Sequence, residues 1–183
     1  MTLTRRFVRH SRKQLRVGEE MGKLGKFFES YGGGIHPSAY IGGPPEHRDW
    51  RPGDVAFRPD IAPTARIEAY VTVDSGIEES THVGARAWLM KHVHIGHDAV
   101  VGQDCELAPG TVIGGHAVLE DGVKCGIGAL VKPFVRVGRG ARVGMGAVVL
   151  RDVPPGATVV GNPARALEAV AETLGPQTET AEQ

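Results

Sequence analysis

The stretch "VHIGHDAVVGQDCELAPGTVIGGHAVLE", Val93 to Glu120, repeats itself every six residues. Ile95, Val101, Leu107, Ile113 and Leu119 stand six apart, and two residues before each lies Val93, Ala99, Cys105, Thr111 or Ala117, all small or β-branched. The rhythm runs from Val83 to Val149, twelve successive steps each filled by an aliphatic residue or cysteine. An amphipathic helix would space its apolar residues by about 3.6, and a half-buried strand would alternate them. Neither produces a period of six. A parallel β-helix does: the chain winds a triangular prism with three hexapeptides per coil, the aliphatic residue points inward, and the small residues fill a narrow interior. Glycine follows the aliphatic position at 84, 96, 102, 114, 126, 138 and 144 and is expected to ease the corners. From Leu89 onward the only aromatic residue is Phe134, as a prism too narrow for rings requires.

Upstream the same phase continues through Val55, Ile61, Ile67 and Val73, then slips by four residues across "SGIE", Ser75 to Glu78, before Val83. Ile35 and Ile41, six apart, suggest a still earlier coil. "GPPEHRDWRPGD" follows and is expected to be a loop thrown out near residues 42–54, since six of the twelve prolines fall between Pro37 and Pro63. The expected organisation is therefore a basic helical arm over 1–34, a β-helix over 35–162, and a short helix with a loose tail over 163–183. The arm's helix spans Arg5–Tyr31, with Met21, Leu24, Phe27 and Phe28 on one face, and "NPARALEAVAETL" supplies the second helix. The fold class is all-β with these two helical ends.

The chain has 183 residues, and its 41% hydrophobic content suffices for one domain's core. Lys+Arg and Asp+Glu are both 21, which gives no argument for nucleic acid. Six basic residues fall between Arg5 and Arg16 with no acid among them, a segment read as a solvated helix end that could also meet phosphates or an acidic carrier. No apolar run reaches the roughly 18 residues of a membrane span, and no signal-type segment follows the basic start; a cytoplasmic location is expected. Cys105 and Cys125 occupy core positions of the repeat and suggest neither disulfide nor metal knuckle. Trp50 and the "PEHRDW" loop fit a ligand grip and a subunit contact equally.

His92, His94, His97 and Asp98 lie within seven residues. In a three-hexapeptide coil, residues 18 apart stack at about the 4.8 Å spacing of neighbouring strands. Asp98 then lies beneath His116, and His97 beneath Gly115, Pro133 and Arg151. His82 and His92 are expected to be exposed turn residues, and His10, His36 and His47 have no partner at a recognisable spacing.

"HIGHD" at His94–Asp98, "GGH" at Gly114–His116 and the closing "DVPPGATVVGNPAR" at Asp152–Arg165 resemble the hexapeptide-repeat acyltransferases over about Ile61 to Leu167. The resemblance is closest to nucleotide-sugar acetyltransferases and UDP-N-acetylglucosamine O-acyltransferases. It implies a left-handed parallel β-helix, a handedness general sheet rules do not give. It also implies acyl transfer from acetyl-CoA, or another acyl-CoA, to a hydroxyl or amine of a sugar, and a homotrimer with its sites between protomers. By that resemblance His97 is the general base, Asp98 orients it, and the Gly115 N–H binds the oxyanion. His94 and His116 position the acceptor, and Lys132, Pro133, Arg151 and Arg165 meet CoA. Lys132-Pro133 stands where the lipid A enzymes carry His-Gln, which together with the short tail favours acetyl-CoA over a long-chain acyl carrier protein as donor. Two rivals remain: a non-catalytic binding trimer, and a metal-dependent enzyme like the hexapeptide carbonic anhydrases. The histidine spacings here, three and nineteen, differ from the metal pattern, and no metal is expected.

Overall fold

The computed structural model describes residues 34–45, 47–49, 51, 54 and 56–167, all within one compact unit, Gly33–Gln183. The helix expected over Arg5–Tyr31, the side chain of Trp50, and the tail beyond Leu167 lie outside the described residues. Strands of mostly two residues recur every six positions and pair in parallel, building sheets of eight, six and five strands among the described residues. Trp88–Leu89, His94–Ile95 and Val100–Val101 belong to three different sheets, and Glu106–Leu107 then returns to pair with Trp88–Leu89. The result is a parallel β-solenoid.

The interior follows the sequence pattern. Leu89, Ile95, Val101, Leu107, Ile113 and Leu119 are all 0% exposed and stack in register along the axis. Each such side chain contributes about 1.5–3 kcal/mol by leaving water. Cys105 and Cys125 are among these buried residues, and burial pushes their thiols up to about 11 and about 12, which makes them inert at neutral pH. Ile35, at the first strand, is 44% exposed.

The glycines that follow the aliphatic positions act differently from expectation. None of them has a positive φ; the left-handed residues are instead the second of each corner, such as Gly110 (+72°) and Gly122 (+70°). A Cβ on Gly96 would lie 2.7 Å from the backbone nitrogen of Gly115, and one on Gly102 equally close to that of Asp121. Glycine is needed there because the next coil's backbone sits directly on it. The first residue of each corner keeps its N–H out of the ladder, so Pro63, Pro109, Pro133 and Pro155 fit there without loss of a hydrogen bond.

Register records both departures from regularity. Asp60 pairs with His82, Arg66 with Trp88 and Thr72 with His94, each 22 residues apart, where Glu106 pairs with Lys124 at 18. The four spare residues lie in the slip after Asp74. Gly34 pairs with Arg66, and Tyr40 with Thr72, at 32 residues, because the loop after Gly43 interrupts the first coil.

At the far end, the expected helix from Asn162 is corrected over 162–166. Gly161 (φ +91°) and Asn162–Ala164 form a turn, and Arg165–Ala166 runs back antiparallel to Thr158–Val160. The last strand of an open stack presents unpaired N–H and C=O groups, and the returning segment covers them.

Candidate active site

His97 and Asp98 form the corner between His94–Ile95 and Val100–Val101. Asp98 sits at φ +56°, a conformation that aspartate tolerates better than most residues. Its side chain is only 3% exposed. The spare residues of the slip explain how a buried carboxylate is kept: Oδ1 accepts the N–H groups of Glu79 (2.7 Å), Glu78 (2.9 Å) and Ile77 (3.1 Å), and Oδ2 accepts that of Ile77 (3.0 Å). Successive backbone N–H groups turned toward one point make such an anion-binding nest. The Asp98 N–H in turn donates to Thr81 Oγ1 at 2.9 Å. Burial alone would raise this carboxyl. The Glu79 N–H, the His97 ring, and the N–H groups of Ile77 and Glu78 outweigh it and hold the group below its ordinary value. Asp98 is an anion at neutral pH.

That anion sets the tautomer of His97. Nδ1 lies 2.8 Å from Asp98 Oδ2 and must donate to it, so the lone pair of the neutral ring is on Nε2. Nε2 faces Gly115 of the next coil: a Cβ there would stand 2.6 Å from it. The space in front of the basic nitrogen exists because residue 115 has no side chain. The Gly115 N–H, at a corner position outside the ladder, has no acceptor among the described residues. A lone-pair nitrogen and an unclaimed backbone donor therefore share one corner.

His116 stacks above Asp98 as the 18-residue arithmetic requires, with Nε2 3.7 Å from Asp98 Oδ2 and its ring edge-on to His97 at 5.1 Å. Phe134, one coil further, stacks on His116 at 4.6 Å and 7°. His94 lies on the six-stranded sheet, on the strand that leads into this corner. Its Nδ1 is 2.8 Å from Thr72 Oγ1 and its Nε2 is 3.9 Å from Asp74. Lys132, Pro133 and Arg151 are exposed, with Pro133 directly above Gly114. Arg165 lies on the terminal strand of the eight-stranded sheet, not on the corner column of the other three. His92 is exposed and stacked on Tyr70, and His82 is partly exposed, 3.1 Å from Asp60.

One histidine was missed. His47, in the loop after Gly43, meets the His97 ring at 5.6 Å and 83°. No spacing rule links the two, since the interrupting loop lies outside the repeat.

His97, Asp98 and His116 offer ligand atoms within 4.8 Å of one another, close enough to converge on a cation. Their donor chemistry fits a hydrogen-bonded dyad better. Both Asp98 oxygens already accept N–H groups, and the Nδ1 of His97 carries the proton that bonds one of them.

A family model described as bacterial transferase hexapeptide (six repeats) matches residues 80–115. The chain carries a bacterial transferase hexapeptide repeat. No curated protein matches the chain. Among solved structures, it is similar to a UDP-N-acetylglucosamine O-acyltransferase from Moraxella catarrhalis (29% identity, 79% of this chain and 58% of that one, TM-score 0.68). A UDP-N-acetylglucosamine acyltransferase from Francisella novicida gives 27%, 79%, 55% and 0.68. A variant of perosamine N-acetyltransferase from Caulobacter crescentus, in complex with CoA and GDP-perosamine, gives 24%, 81%, 64% and 0.59. The last likeness speaks for the fold alone. The chain thus spans less than two thirds of each of these proteins. The family-model match covers the segment that holds the His97 and Gly115 corner. No helix among the described residues is long and apolar enough to cross a membrane.

Proposed function

We propose that the protein is an acyltransferase that moves an acetyl or other acyl group from a CoA thioester to a hydroxyl or amine of a sugar, nucleotide-linked as in the relatives. The observation that carries this reading is the corner itself: a buried Asp98–His97 dyad whose Nε2 lies against Gly115, a residue whose N–H has no acceptor among the described residues. The names of two similar structures, both UDP-N-acetylglucosamine acyltransferases, support it.

In this reaction His97 Nε2 takes the proton of the acceptor as its oxygen or nitrogen attacks the thioester carbonyl. Asp98 stabilises the resulting imidazolium, and the Gly115 N–H donates to the oxyanion. The tetrahedral intermediate then expels the thiolate, which regains a proton, and no covalent acyl-enzyme forms. His116, edge-on to the base, and His94, further along the sheet face, orient the acceptor. Lys132, Pro133 and Arg151 mark the path for the pantetheine arm and phosphates, with Arg165 a more distant cation. Small acyl-CoA is the donor favoured over an acyl carrier protein. A homotrimer with sites between protomers accompanies this reading. The exposed apolar residues Val112, Ile127, Leu130, Met145 and Leu150, on the six-stranded sheet and beside it, suit a surface covered by a second copy.

Incubation with acetyl-CoA and a panel of nucleotide-linked amino sugars tests the activity by free-thiol release and mass spectrometry of the acceptor. The expected result is acceptor-dependent thiol release with an acetylated product; thioester consumption that never exceeds the enzyme-free blank would exclude the reading. The glycine is a sharper probe. The backbone at Gly115 is not left-handed, so alanine is sterically excluded only by the imidazole in front of it. Gly115→Ala keeps the backbone N–H but should displace His97, and so cost about 10²–10⁴-fold in kcat, the scale of a lost general base, read by steady-state thiol release.

A further inference from the structure

His97 touches three groups that bear on its chemistry: Asp98, which fixes its proton, His116, and His47. The first two come from the repeat, and the third from the loop that interrupts it. The hydrogen bonds assign the two imidazoles His97 and His47 opposite tautomers. His97 donates through Nδ1 and so carries its lone pair on Nε2. His47 accepts the Asp49 N–H on Nδ1 at 3.3 Å, so the proton of the neutral ring is on Nε2. The two rings in contact therefore differ: the second nitrogen of His97 accepts, and that of His47 donates.

The attack on the thioester lacks what such a donor supplies. The charge that develops on the thioester oxygen has one backbone N–H at the Gly115 corner, and preorganised donors aimed at that charge are usually the largest single contribution to catalysis. His116 is drawn to Asp98, whose oxygens are already claimed, and its other face is covered by Phe134. His47 is exposed, with its ring within 5.6 Å of the base. A neutral imidazole with a fixed Nε2–H can polarise a carbonyl without giving up its proton.

We propose that His47 donates its Nε2–H to the oxyanion of the acyl-transfer intermediate, as a second donor beside the Gly115 N–H. The assignment rests on the acyltransferase reading above. The loop after Gly43 then has a chemical purpose: it carries into the site a donor that the hexapeptide column cannot supply, since the corner column facing Nε2 must stay free of side chains at Gly115. No proton is transferred by His47, and the acceptor's proton still goes to His97.

Three variants of the full chain, assayed with acetyl-CoA and whichever panel acceptor the wild type uses, test it. His47→Ala should lower kcat by about 10²-fold, the scale for one lost donor, with the KM for acetyl-CoA little changed. His47→Phe keeps a ring against His97 but has no N–H, and should be as impaired as alanine. His47→Gln restores an N–H donor and should recover most of the loss. Circular dichroism melts confirm that each variant is folded. A fully active His47→Phe, or a His47→Gln no better than alanine, overturns the donor role while the acyltransferase reading stands. A wild type that consumes no thioester with any acceptor overturns both.

Discussion

Replacing His97 by alanine should lower acyl transfer by about 10²–10⁴-fold, the contribution of a positioned general base, and leave the protein folded. The fold does not depend on this side chain. The carboxylate of Asp98 keeps the Ile77, Glu78 and Glu79 N–H groups when the imidazole is gone, and the inward positions of the coil are untouched. The loss should fall on kcat, because the residues on the expected CoA path, Lys132, Pro133 and Arg151, lie two and three coils further along the prism. Steady-state thiol release together with a thermal melt checks both halves. Wild-type rates in the variant would remove His97 from the mechanism.

Asp98→Asn has the largest expected effect on stability, a loss of about 2–4 kcal/mol at neutral pH from breaking a buried charge-centred network. Asparagine tolerates φ +56° as well as aspartate does, so the change isolates the charge. Its amide NH₂ would face N–H donors of the nest that the carboxylate accepts. The pH dependence follows from the direction of the shift. Asp98 is held below its ordinary value in the fold, so the folded state binds its proton less readily than the unfolded chain does. Its stabilising contribution is complete at pH above the ordinary aspartate range of about 4 and is lost as pH falls from there toward the folded value. Denaturant midpoints of wild type and variant should therefore differ most at pH 7 and converge below about pH 4. A difference that stayed constant across that window would mean the charge is not what the nest stabilises.

Both predictions rest on one segment, Ser75 to Glu79, which the sequence shows only as a defect. The six-residue period loses four residues of phase there, and nothing in composition indicates that the displaced backbone turns its N–H groups toward a carboxylate one coil away. The glycines after each aliphatic position illustrate the same limit. Their spacing is plain, but the reason for it is the approach of the next coil's nitrogen to Gly96 or Gly102, a contact between residues far apart in sequence. At the C-terminal end, "NPARAL" has a helix-start pattern, and Arg165–Ala166 within it form a strand instead. The open edge of Thr158–Val160 outweighs local propensity.

By itself the sequence determined the solenoid, its inward residues and the stacking of Asp98 beneath His116, because a strict period converts sequence separation directly into spatial neighbourhood. Eighteen residues make one coil whatever their outward side chains, and the 3.7 Å between Asp98 Oδ2 and His116 Nε2 accords with that count. Only the tertiary structure decided what lies outside the period: the N–H nest that keeps Asp98 charged, the placement of Arg165 away from the corner column, and the approach of His47 to His97. Each depends on a segment where the repeat is broken. A broken repeat has no fixed rise or phase, so its position is set by hydrogen bonds and packing across coils.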